Sequence, residues 1–124
     1  MFVRRLEESP REHRIGQVSH LMPAKGEFGS SDLAITWVEG GPGSQQDLHE
    51  HPGAEQVHVV VRGRGEMIVG EERHDVGPGT MILIPPWTDH AIRNVGEDTL
   101  VWVSATSPPF DPSAVGRWVP PTDG

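Results

Sequence analysis

Apolar residues in this chain come in short runs cut by turns, and no segment repeats them at the helical spacing of about 3.6. The runs predict strands over residues 15–20, 33–39, 56–62, 66–69, 73–76, 80–84, 90–94 and 100–105. Between them lie turn-forming sequences: Gly40-Gly41-Pro42-Gly43, Gly63-Arg64-Gly65, Gly77-Pro78-Gly79, Pro85-Pro86 and Gly96-Glu97-Asp98. Fifteen glycines and twelve prolines in 124 residues favour short strands over long helices. The prediction is one all-β domain, a sandwich or a barrel, because the amphipathic stretches of a helix-on-sheet fold are missing.

The two ends differ from this middle. Residues 1–16, with alternating charges from Arg4 to Arg14, predict an N-terminal arm or edge strand. Residues 17–106 carry the strands. Residues 107–124 form a Pro-rich tail that is expected to be extended, containing Pro108, Pro109, Pro112, Pro120 and Pro121. Phe110 and Trp118 are expected either to pin this tail to the domain or a partner subunit, or to fray with it.

Charge and composition narrow the function. A formal charge of −8 argues against sequence-independent binding of nucleic acid, which needs a basic surface. The absence of cysteine removes thiolate ligands, disulfides and a Cys nucleophile. No apolar run approaches the roughly 18–20 residues that span a bilayer. The charged first 14 residues lack the apolar segment of a secretory signal, so the expectation is a cytoplasmic protein without membrane attachment. Residues 57–61 are largely apolar on both faces, which predicts a covered surface and a homodimer.

Candidate chemistry centres on histidine. His49 and His51 stand at i and i+2, on one face of an extended segment. His90, from a distant strand, can close the same pocket. Three neutral nitrogen ligands suit iron, manganese, zinc, nickel or copper. The plainer alternative is three ordinary surface histidines among the seven in the chain.

The flanking residues weigh against that alternative. From Gly43 the chain reads Gly43-x5-His49-x-His51, then Glu55 and Gln56, then Gly63; from Gly79 it reads Gly79-x5-Pro85-x-Trp87-x2-His90-x3-Asn94. Together these segments resemble the two motifs of the cupin superfamily, G-x5-H-x-H-x3,4-E-x6-G and G-x5-P-x-G-x2-H-x3-N. The resemblance covers residues 43–94 and implies a jelly-roll β-barrel of antiparallel strands with one metal inside. By that pattern the ligands are His49, His51, the Glu position and His90.

The sequence departs from the pattern twice. Counting three residues after His51 gives Glu55 and leaves seven before Gly63; counting four gives Gln56 and the expected six. The Gly63 spacing favours Gln56, ligating through its amide oxygen. Three histidines and a glutamine are neutral, so a bound ion would keep its full charge and lower the pKa of a bound water further than with Glu. The second departure is Trp87 at the motif's second Gly. Its indole is expected either to narrow the substrate entrance or to pack against the tail or a subunit.

With Gln56 inward, His58 shares its face and becomes either a general acid/base or a hydrogen-bonded core histidine. His13, His20 and His74 lie outside both motifs and are expected at the surface. The resemblance thus points to a metalloenzyme acting on an oxygenated small molecule. Dioxygenase chemistry and decarboxylase, lyase or isomerase chemistry are both open. The alternatives are a non-enzymatic module that binds a sugar or small acid and, more weakly, a metal-free epimerase.

Overall fold

Alternation and turn residues together set the strand ends. The computed structural model describes residues 1–14, 16–22 and 32–109, so Ile15, Phe110, Trp118 and the rest of the tail lie outside it. A single 3-10 turn, Leu6–Glu8, precedes β1 (Arg11–Arg14) and β2 (Gln17–Leu21). The chain continues through β3 (Ala34–Gly40), β4 (Glu55–Arg62), β5 (Gly65–Val69), β6 (Glu72–Val76), β7 (Met81–Ile84), β8 (His90–Asn94) and β9 (Leu100–Ser107). Among the described residues no helix is long and apolar enough to cross a membrane.

The strands form two antiparallel sheets. One runs β1-β2-β3-β9-β4-β7 and the other β6-β5-β8. This order overturns the expected jelly-roll barrel, because among the described residues β1, β7, β6 and β8 are all edges and no ladder joins the two sheets. The physical reason lies at both seams. At one, the turn Gly77-Pro78-Gly79, with Gly79 at φ +86°, carries the chain out of one sheet, and β7 then pairs with β4 instead of β6. At the other, residues 44–50 are held between the Gly41–Gly43 turn and Pro52-Gly53. They reach β8 through the isolated bridges Gln45–Arg93 and His49–His90 and through the Ile92 N–H that donates to Gln46 Oε1, not through a continuous ladder. The architecture is an open two-sheet sandwich.

The core fills the space between the sheets. Val38, Val60, Trp102, Ile84 and Leu100 from the larger sheet meet Met67, Val76 and Ile92 from the smaller. Each such aliphatic side chain contributes about 1.5–3 kcal/mol by leaving water. β4 shows how the pattern works: Gln56, His58 and Val60 are buried, whereas Glu55 and Val59 are exposed. A bulge between Val60 and Arg62 then breaks the parity and leaves Val61 and Arg62 both outside. Gly63 closes the strand at φ +86°, and a Cβ there would lie 2.6 Å from the Thr99 carbonyl oxygen. Only glycine fits that corner, which explains why the spacing to Gly63 is informative about which β4 residues face inward.

Candidate metal centre

Cross-strand register brings the polar side chains of the larger sheet onto one inner wall. Gln56 pairs with Thr106, and His58 with Ser104, across β4 and β9. Gln56 Nε2 donates to Thr106 Oγ1 at 3.0 Å, and His58 Nδ1 lies 2.8 Å from Ser104 Oγ. Both side chains line a cavity of about 60 Å³ that also receives His49 and His51. Glu55 faces the opposite way and is exposed.

His49 and His90 are held by the same local device. Their backbones exchange two hydrogen bonds, His49 N to His90 O at 3.1 Å and His90 N to His49 O at 2.8 Å. Each ring then turns its Nδ1 to the carbonyl two residues earlier, Asp47 O for His49 and Thr88 O for His90, both at 2.9 Å. A carbonyl only accepts, so Nδ1 carries the proton and Nε2 is left as the lone-pair atom. His51 is placed by its own carbonyl, which accepts from Ala54 N and Trp87 N, each at 3.3 Å.

The three rings converge. Their centroids lie 4.3 Å (His49–His90), 5.1 Å (His49–His51) and 5.2 Å (His51–His90) apart. One ligand atom from each falls within 4.8 Å of the other two, and all three residues are buried. His58 stands behind them, its ring centroid 6.3 Å from that of His90. His90 Nε2, His58 Nε2 and Gln56 Oε1 are buried with no hydrogen-bond partner. Each such orphan costs about 1–3 kcal/mol. A divalent cation would satisfy lone pairs at this place, so the donor set fits a metal.

Burial sets the protonation. Desolvation, followed by the charges of His49 and His90, pushes His51 down to about 3. Desolvation also takes His58 to about 3 and His90 to about 4, and it lowers His49 despite the opposing Asp47 carbonyl and Asp89 charge. All four imidazoles are therefore neutral near pH 7, the form in which imidazole binds a metal.

Other residues fall differently. Trp87 is 63% exposed and is not among the residues that line the cavity. The turn explains this: Trp87 has φ +61°, the left-handed conformation that glycine adopts freely, and it meets the site through its backbone N–H. Asn94 staples its turn, donating to Gly40 O and Asp98 O and accepting from Gly96 N. His13 and His74 are exposed, but His20 is 8% exposed, correcting the surface expectation; its Nε2 lies 3.7 Å from Glu39 on β3. The sequence reading also missed Glu12, Gln17, Ser19, Thr36 and Gln46, which complete the cavity wall. The signal for Glu12, Gln17 and Ser19 was parity within β1 and β2.

The family model of the Cupin domain matches residues 36–106. The chain belongs to the cupin family. An uncharacterized protein of Methanocaldococcus jannaschii is 37% identical over 68 residues, 55% of this cupin and 54% of that protein. A 3-hydroxyanthranilate 3,4-dioxygenase of Cupriavidus pinatubonensis is 29% identical over 92 residues, 71% of this cupin and 48% of the enzyme. This cupin thus spans about half the length of these curated relatives. Its fold also matches the crystal structure of a predicted oxalate decarboxylase from Thermotoga maritima, with TM-score 0.77 and 19% identity over 86% of this cupin and 98% of that chain.

Proposed function

We propose that this cupin is a metal-dependent enzyme acting on an oxygenated small molecule. One divalent transition metal, of the iron, manganese, zinc, nickel or copper class, is held by His49, His51 and His90, with Gln56 Oε1 as fourth ligand. The observation that carries this reading is the convergence of three neutral, buried imidazoles whose Nδ1 protons face outward where carbonyls are in reach. The metal supplies Lewis acidity, or dioxygen chemistry if it is iron, toward substrate oxygens. The similarity to a 3-hydroxyanthranilate 3,4-dioxygenase supports oxygenase chemistry; decarboxylase, lyase or isomerase chemistry uses the same donor set.

His58 is the proton carrier of this proposal. Its Nδ1 is anchored at Ser104, and its buried Nε2 has no partner within the protein, leaving it for a substrate hydroxyl or a water. Elemental analysis of protein purified without a chelating tag is expected to find about one transition ion per chain. His58→Gln is expected to keep that ion and lower kcat on a turned-over substrate by about 10²–10⁴-fold. Unchanged kcat would remove His58 from the chemistry. An ion with no exchangeable coordination position would favour the non-enzymatic binding module.

The same reading includes a homodimer. On the outer face of the larger sheet, Val57 pairs with Leu83 and Ala105, and Val59 with Met81 and Val103, an uncharged block on a chain of charge −8. Met81 is 60% exposed and Leu83 50%. Two such acidic chains meet with least repulsion through that block. Light scattering is expected to give twice 13.6 kDa, and Leu83→Lys to halve it; a monomeric wild type would end the dimer.

A further inference from the structure

The Gln56 side chain is held from behind, and we infer that Thr106 is the positioning residue that keeps its amide oxygen toward the ion. This deepens the metal reading above and rests on it. Thr106 lies on β9, which is paired with β3 on one side and β4 on the other. Ala34 stands opposite it on β3, and Gln56 opposite it on β4. Ladders on both sides fix its backbone, and its β-branched side chain is stiff at χ1. Thr106 is 2% exposed, so its hydroxyl is a buried, fixed post.

A carboxamide has two chemically different ends. Its oxygen carries lone pairs, whereas its nitrogen donates hydrogen and offers a cation nothing. In a long, freely rotating side chain nothing covalent decides which end faces the cavity. Here Gln56 Nε2 donates to Thr106 Oγ1 at 3.0 Å. The other end, Oε1, is buried without a partner, and Gln56 lines the same cavity as His49, His51 and His58. A hydroxyl could also hold the amide turned over, by donating to its oxygen, but that form aims N–H at a cation. Hydroxyl and cation together therefore hold one arrangement. Thr106 is not among the residues that line the cavity, so it acts through Gln56. Without the hydroxyl, Nε2 would be left buried and unpaired, and the amide would swing to find an acceptor, drawing Oε1 off the ion.

The test is cobalt(II) binding, with affinity read by competition against a chelator and ligand geometry read from the visible d–d bands. Thr106→Val keeps the branched shape and loses the hydroxyl. It is expected to weaken cobalt binding by about 10–100-fold and to shift the bands toward those of Gln56→Ala. Thr106→Ser restores the hydroxyl and should bind within about threefold of wild type, with its bands unmoved. In a Gln56→Ala background, Thr106→Val should cost nothing further, because the group it orients is gone. Thr106→Ala carries the same comparison if the valine variant does not fold. Wild-type affinity and bands in Thr106→Val, an equal loss in both backgrounds, or a serine variant that behaves like valine overturns the inference and leaves the metal site standing. Wild-type binding by Gln56→Ala removes the fourth ligand and this inference with it, and leaves the three histidines. Failure of the wild type to retain cobalt overturns the metal reading and this inference together.

Discussion

His90→Ala is expected to bring bound transition metal from about one ion per chain to less than about a tenth. His90 is 1% exposed, shares its bridge with His49, and points a partnerless Nε2 at the site, so no neighbour or water can replace it cheaply. Changes that only disturb the groups orienting a ligand weaken binding by about 10–100-fold, and loss of the ligand itself costs more. The backbone bridge survives the substitution, so the effect should be on metal and not on folding. A thermal readout separates the two. Saturating wild type at about a thousandfold above Kd stabilises it by about 4 kcal/mol, raising Tm on the order of 10 °C. His90→Ala should show no such rise. His74→Ala, on an exposed position of β6, should behave as wild type. Gln56→Ala should lower retention more than Glu55→Ala, because Gln56 faces the cavity and Glu55 faces solvent. A stoichiometric ion in His90→Ala would remove the proposed centre.

Much of the strand pattern was legible because it is local. Period-two alternation and Gly/Pro turns act over a few residues, and the predicted runs reappear as β2 to β9 with ends shifted by a residue or two. The inward facing of Gln56 was legible for a steric reason: Gly63 cannot be any other residue against Thr99 and Leu100, so distance counted back from it carries parity information. Pairing partners were not legible. Whether β7 joins β6 or β4 depends on how far the Gly77–Gly79 turn swings the chain, a choice between non-local partners that alternation does not encode, and the barrel expectation failed there. His20 looked like a surface residue because isolated polar residues usually are. Its burial comes from its place on β2, between β1 and β3, opposite Arg11 and Trp37. Glu12 was hidden in the same way: Arg11-Glu12-His13-Arg14 reads as an arm or an edge strand, and only its pairing with β2 assigns one parity to the interior.

The metal-free protein is expected to lose stability steeply as pH falls below 6.5. His51, His58 and His90 have folded pKa values pushed down to about 3, 3 and 4, chiefly by desolvation, whereas in the unfolded chain each returns to 6.5. Between those limits the unfolded state binds protons that the folded state refuses, so stability rises with pH through this window and falls on acidification. It is fully present above 6.5 and lost progressively as pH falls toward 3–4. Each such histidine contributes a slope of about 1.4 kcal/mol per pH unit. Three acting together would exhaust the ordinary total of about 5–15 kcal/mol within one to four units. Urea titrations of metal-free protein should therefore show midpoints dropping sharply from pH 7 to 5, with unfolding in buffer alone between roughly pH 3 and 5. His58→Gln removes one titrating group and should flatten the slope by about a third. Loaded protein should hold its midpoint to lower pH, because the ion occupies the lone pairs that protons would otherwise take. Midpoints that stay level between pH 7 and 5 without metal would mean the imidazoles are hydrated or already charged, and a hydrated or charged cluster is not the neutral cage this centre requires.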